Sequence, residues 1–222
     1  MAVDHVTLMD DVYRRQRHIY DFTRKYYLFG RDRLISDLAL GPGDSLVEIG
    51  CGTARNLIQI ARLYPGAELY GLDASAEMLR TAVRAIDRAC LSHRITLAHG
   101  LAEDLTPALF GREHFSHALF SYSLSMIPDW KQALSAAQTA VGRTGRVHIV
   151  DFGDLCGLGR AGRALMTAWL SLFHVSPRVE ILRKLELGEQ FFEIRDKKLL
   201  VMPGRYAFIW QGTGGSASTL TV

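Results

Sequence analysis

The stretch Val47-Glu48-Ile49-Gly50-Cys51-Gly52-Thr53-Ala54-Arg55-Asn56 is an apolar run that carries one acid, breaks at two glycines and resumes with helical spacing. The pattern predicts a strand over 45–50 and a helix over 53–64, with Leu57, Ile60, Ala61 and Tyr64 on one face. Glycines between strand and helix let the backbone turn tightly toward a ligand. A nicotinamide-type fingerprint needs a third glycine at position 55, and Arg55 stands there, which disfavours a dinucleotide pyrophosphate. The next strand, 68–73, ends in Asp73, 25 residues after Glu48, and a helix over 75–89 follows with Ser75 at its cap. A carboxylate at that place can accept hydrogen bonds from both ribose hydroxyls of a nucleoside, or it can cap the helix.

Working outward, strands are predicted at 94–100, 115–123 and 146–153, with a helix from about 128 to 141. This alternation predicts a Rossmann-like α/β fold, a mostly parallel sheet with helices on both faces. Helices near 160–173 and 178–188 lead to FFEIRDKKLLV (191–201) and RYAFIWQG (205–212), which flank Pro203-Gly204 and read as a terminal antiparallel hairpin. Before the first strand, residues 5–39 read as helices, interrupted at Gly30 and closed by Gly41-Pro42-Gly43-Asp44. The chain therefore divides into a helical cap or lid (1–40), the α/β domain (41–212) and a small polar tail (213–222) expected to be disordered.

With 222 residues and 48% hydrophobic content, a single well-packed domain is expected. No apolar run approaches the roughly 18 residues of a membrane-crossing helix, and the charged N-terminus carries no signal-peptide core. Cys51, Cys90 and Cys156 form no CxxC and the histidines form no ligand pair, so a reducing cytoplasmic setting and no metal are expected. The net charge of +3 is small, but Arg14, Arg15, Arg17, Arg24, Lys25, Arg31 and Arg33 crowd the first helices against only Asp21 and Asp32. Such a cluster suits an anionic membrane or an acidic substrate, and equally an ordinary solvated face. Nucleic acid is not expected, because no RNP-like or zinc-finger pattern accompanies the basic residues.

VEIGCGTARN followed by YGLDASAEML resembles motifs I and II of class I S-adenosylmethionine-dependent methyltransferases. The resemblance implies a seven-stranded sheet whose last strand runs antiparallel, with S-adenosylmethionine as cofactor and S-adenosylhomocysteine as product. It further implies that Glu48 orients the methionine amine, Gly50 and Gly52 lie under the cofactor, and Asp73 holds the ribose. Ala74 and Met78 would flank the adenine, and Leu101, Ala102 and Ser121 complete the cofactor set. Leu101 stands where the family usually carries an acid for the adenine amino group, which leaves that contact to Glu103 or to backbone and apolar packing.

YRRQRHIYDFTRKYYLFGRDRLI (13–35), FSYSLSMIPDW (120–130) and HIVDFG (148–153) resemble bacterial betaine-lipid N-methyltransferases, which trimethylate diacylglyceryl-homoserine. The IYD segment is also similar to quinone-biosynthesis C-methyltransferases, so a small-molecule acceptor (a quinone ring carbon, phosphatidylethanolamine or a free amine) is the alternative. Under the lipid reading, Arg14, Arg17 and Arg31 grip the head-group carboxylate, since arginine binds carboxylates bidentately. Tyr122 would stand beside the ammonium, a contact worth roughly 0.5–2 kcal/mol. Tyr20 would cover the active site, and Asp151 would accept the amine's proton or simply cap its strand. GRAGRALMTAWLSLFHVSPR (159–178) sets Arg160 and Arg163 beside Leu165, Met166 and Trp169, which fits an interfacial helix or a buried one covering the sheet. Together these imply a lipid substrate met at the cytoplasmic face of an anionic membrane.

Overall fold

In the computed structural model, residues 28–171, 178–187 and 194–214 are described. Seven strands form one sheet: β1 (Ser45–Ile49), β2 (Glu68–Asp73), β3 (Ile95–His99), β4 (His117–Ser121), β5 (Arg146–Phe152), β6 (Ile194–Val201) and β7 (Ala207–Gly214). Their order is β3-β2-β1-β4-β5-β7-β6. β1 to β5 pair in parallel, while β7 runs antiparallel to both β5 and β6, so the terminal hairpin read from the sequence is present. β7 extends to Gly214, into the stretch read as a tail.

Among the described residues, six helices accompany the sheet: α1 (Arg31–Ser36), α2 (Arg55–Leu63), α3 (Ala76–Arg88), α4 (Trp130–Val141), α5 (Gly159–Ser171) and α6 (Val179–Leu187). The first strand is buried along its whole length, as parallel strands covered on both faces are. Side chains alternate between the two faces. Along β7, Ala207 and Ile209 join a core with Leu34, Leu57, Ile60, Ala82 and Leu170, while Phe208 and Trp210 join a second with Trp130, Leu134, Ile181 and Leu182. The first core thus holds α1, α2, α3 and part of α5, and the second holds α4 and α6.

Two readings change in detail. α2 starts at Arg55 rather than 53, because Ala54, fully buried, sits in the left-handed region at φ 59° and so cannot belong to the helix. α1, assigned from sequence to a cap, packs Leu34 and Ile35 into the first core, and Tyr64 Oη donates to the Ile35 and Ser36 carbonyls at 2.9 and 2.8 Å. α5 differs more: of Gly159–Ser171 only Leu170 is buried. The buried-helix reading holds only for one face near its end, where Leu170 with half-buried Met166 and Trp169 packs against the first core, while most of the helix is exposed.

Candidate active site

Strand order reverses between β1 and β4, and the crevice at the carboxyl ends of those strands is where open α/β sheets take ligands. The chain after β1 turns there sharply. Gly50 has φ 74° and donates to the Leu72 carbonyl at 2.8 Å. A Cβ at this position would lie 2.5 Å from the Ser123 Cβ, so only glycine fits. Ser123 in turn donates its hydroxyl to the Ile49 carbonyl at 2.6 Å, locking the loop after β4 onto the end of β1.

Asp73 joins the two motifs. One carboxylate oxygen accepts from the Gly52 amide at 2.7 Å and the other from the Ser75 amide at 2.9 Å. The cap of α3 is Ser75, whose hydroxyl accepts from the Met78 amide at 3.3 Å, so Asp73 is not needed as a cap. A carboxylate has about four acceptor positions, which leaves capacity for hydroxyl donors.

A narrow cleft lies above Gly50, walled by Leu28, Arg31, Glu48, Thr53, Asn56 and Ser121 among others. Glu48 is buried and accepts from the Asn56 side-chain amide at 2.6 Å. Arg31 is only 4% exposed, with its guanidinium at 3.0 Å from the exposed Asp32 carboxylate. The Ser121 hydroxyl is buried and has no hydrogen-bond partner. Cys51 also lines the cleft, and burial, assisted by the Asp73 and Glu48 charges, pushes its thiol well up, away from nucleophilic use.

The β2–β3 edge continues the site. Asp73 is paired with His99, and the Gly100 amide donates to the Asp73 carbonyl at 3.1 Å. This brings Leu101 and Ala102 next to Ala74, whose carbonyl is 3.0 Å from His99 Nε2. Met78 and Ala102 are buried and Leu101 is half-buried in extended conformation, so this edge is apolar.

Other residues selected from the sequence are placed differently. Asp151 is fully buried and accepts from the Ser125 and Phe152 amides at 2.8 and 2.7 Å. Burial raises its pKa to about 6 against the pull of those hydrogen bonds. It lines neither the cleft nor the cavity described below, and it ties β5 to the loop after β4. Tyr122, at φ 55°, is also buried and donates its hydroxyl to the Phe29 carbonyl. Its ring meets Phe152 edge-on at 4.7 Å. Tyr20, Arg14 and Arg17 lie outside the described residues. Among the described residues no group of histidines, cysteines or acids could hold a metal, and no helix is long and apolar enough to cross a membrane. Beside the cleft is an apolar cavity of about 750 Å3, lined by Phe29, Leu165, Met166, Trp169, Met202 and Tyr206 with Leu158 and Pro203.

Residues 46–145 match a family described as a methyltransferase domain. That stretch, which holds the Gly50–Gly52 turn and Asp73, is thus similar to S-adenosylmethionine-dependent methyltransferases. The chain is 29% identical over 138 residues to the ubiquinone/menaquinone biosynthesis C-methyltransferase UbiE of Syntrophotalea carbinolica, a match covering 60% of this chain and 56% of that relative. It is 39% identical over 77 residues to the trans-aconitate 2-methyltransferase of Pseudomonas paraeruginosa, covering 35% and 28%. The chain thus spans little more than half the length of the first relative and less of the second. The methyltransferase solved with the Haloferax volcanii Trm112 methyltransferase activator shares the fold, with TM-score 0.69 at 12% identity over 93% of this chain and 97% of that one. S-adenosylmethionine is the cofactor of this family, and the site fits it. The buried Ser121 hydroxyl, without a hydrogen-bond partner among the described residues, lines the same cleft as the buried Glu48 and Arg31. Sequence reasoning missed Leu28, Thr53, Asn56 and Ser123. Thr53 and Asn56 sat within VEIGCGTARN, and Ser123 within FSYSLSMIPDW, so these three lay in motifs that could have drawn attention to them.

Proposed function

We propose that this domain methylates a ring carbon of a small quinone-type acceptor at the carboxyl ends of β1 and β4. The observation that carries the reading is the junction at Leu28 and Phe29. Leu28 lines the polar cofactor cleft and Phe29 the apolar cavity, so an acceptor approaching the cleft meets an aromatic, water-poor wall. The similarity to quinone C-methyltransferases supports the same acceptor class.

S-adenosylmethionine supplies an electrophilic methyl on its sulfonium. Asp73 accepts the ribose hydroxyls while its bonds to Gly52 and Ser75 hold it in place. Glu48, fixed by Asn56, faces the methionine amine, and Arg31 pairs with the methionine carboxylate instead of gripping a substrate. Met78, Leu101 and Ala102 flank the adenine by apolar contact. Positioning and exclusion of water then do most of the work, since in-line displacement from a sulfonium needs no covalent enzyme nucleophile. Held by these residues, S-adenosylmethionine would supply its methyl to the electron-rich ring carbon of the reduced quinol and leave as S-adenosylhomocysteine, with the ring proton lost to water.

A second reading, N-methylation of a lipid head group such as diacylglyceryl-homoserine at a membrane surface, is favoured by one feature. α5 is exposed and sets Arg160 and Arg163 beside Leu165. Incubating the protein and S-adenosylmethionine with demethylmenaquinone chemically reduced to its electron-rich quinol in one arm and diacylglyceryl-homoserine in the other separates the two. Mass spectrometry is expected to find one added methyl on the quinone. Methylation of the homoserine lipid alone would overturn the quinone reading.

A further inference from the structure

The apolar cavity beside the cofactor cleft is larger than a quinone or amine head group requires, and about 750 Å3 lies within the range of dedicated ligand pockets. Its walls come from three separate segments: Phe29 before α1, Leu165, Met166 and Trp169 on α5, and Met202 and Tyr206 around the hairpin turn. Among the described residues, none of the lining side chains is charged. Leu165 is 75% exposed, Phe29 59% and Leu158 36%, a cluster of apolar surface that favours an apolar occupant. Two of the walls are methionines, which adapt to irregular hydrocarbon shapes.

The cavity is tied to the methyl-delivery end by an unbroken aromatic path. Tyr122, next to Ser121 in the cleft, packs on Phe152 at 4.7 Å, Phe152 on Tyr206 at 5.8 Å, and Tyr206 on Phe29 at 5.5 Å. The Tyr122 hydroxyl holds the Phe29 carbonyl, so the shared wall is fixed. At the rim Arg205 is taken up by two acids, Asp154 at 2.7–2.9 Å and Glu186 at 2.8 Å, so it is engaged within the fold rather than offered to an anionic head group.

We propose that this cavity binds the long hydrocarbon chain of an amphiphilic acceptor, acyl or prenyl, while its polar end faces the cofactor cleft. The proposal rests on the methyltransferase reading above and assigns the apolar half of the same acceptor. Chain binding by burial alone should strengthen about fourfold per added methylene.

Trp169 provides a direct probe, because the other two tryptophans, Trp130 and Trp210, are 2% and 1% exposed in the second core. The full chain is titrated, below micelle concentrations, with a bromine-labelled fatty acid in one arm and a bromine-labelled prenyl alcohol in the other. Tryptophan quenching is read alongside calorimetric binding of S-adenosylhomocysteine. Saturable quenching by either chain is expected. It should be lost in Trp169→Phe, weaken at least tenfold in Leu165→Glu, and steepen with chain length, with S-adenosylhomocysteine affinity unchanged in both variants. The arm that saturates identifies the chain type. Leu165 is a surface position, so its replacement keeps the fold. If the protein binds S-adenosylhomocysteine but neither chain quenches it saturably, the cavity proposal fails and the methyltransferase reading stands. Undiminished quenching in Leu165→Glu, or loss of quenching through self-association of the protein, also overturns it. Saturable quenching without S-adenosylhomocysteine binding supports the cavity and sinks the methyl-transfer reading instead.

Discussion

The two ends of the parallel sheet bury polar side chains in opposite ways. At the amino ends, Gln211 donates to His148 Nδ1 at 3.1 Å, His148 Nε2 lies 2.9 Å from His117 Nδ1, and His117 Nε2 faces Asp44 at 3.6 Å. The two imidazoles stack with centroids 5.2 Å apart, and every step of this chain has a donor and an acceptor. At the carboxyl ends, Gly50 and Gly52 adopt positive φ, Ser121 keeps an unused hydroxyl, and Arg31 lies almost buried against a cleft. Folding proteins rarely leave buried polar capacity unspent. The difference therefore teaches which end was built to be completed by a ligand and which was sealed by the fold itself.

The most severe way to break the ligand end is Gly50→Val. A β-branched residue at φ 74° costs roughly 1–3 kcal/mol, and overlap with Ser123, whose Cβ would lie 2.5 Å away, adds a similar amount. Calorimetry should show S-adenosylhomocysteine affinity falling by a hundredfold or more, on the order of 3 kcal/mol. An unchanged affinity would remove the cleft from the cofactor site. Asp73→Ala is next: it deletes the acceptor for two amides and for the ribose, and a loss of roughly 10–100-fold in the same titration is expected.

The sealed end is sharpened by acid. Burial first, then the His117 and Arg146 charges, lower the His148 pKa to about 3. Because the folded value lies below the unfolded one, the unfolded chain binds more protons. Stability present above about pH 6.5 is lost as pH falls, by roughly 2 kcal/mol at pH 5. His117 is lowered as well and acts in the same direction. Asp151 acts oppositely: with its pKa raised to about 6, the folded protein takes up a proton first and gains stability as pH drops below that value. Urea unfolding at pH 7 and pH 5 should show a flatter pH dependence in His148→Gln and a steeper fall in Asp151→Asn. Parallel profiles in all three proteins would exclude both groups as the source. The smallest effect concerns the outer surface of the ligand end. Reversing Arg160 and Arg163 to glutamate should weaken sedimentation with anionic vesicles by about fivefold per position, scaled at about 1 kcal/mol per basic residue. Equal binding of wild type to neutral and anionic vesicles at low salt would argue against a lipid-facing α5.

Local signals carried much of this protein into view. Strand and helix periods, the Gly50–Gly52 turn, the Ser75 cap and the carboxylate at the end of β2 all depend on neighbours in sequence, and they fixed the sheet, the hairpin and the cofactor class before any coordinates. Three features were closed to that reasoning because they depend on packing between distant segments. Asp151 looked like a free strand-end acid until the Ser125 amide, 26 residues away, closed over it. Arg31 looked like one of many cap arginines until α1 folded against the first core and left it 4% exposed in the cofactor cleft. The apolar cavity draws its walls from residues between 29 and 206, and no window of sequence contains them together. Thus the sequence by itself determined the α/β order and marked the glycine turn and the acid at the end of β2, since both follow from short-range periodicity and turn chemistry. Tertiary structure alone decided which polar groups remain unspent and where apolar surface stays open, because burial is set by what the rest of the chain brings alongside.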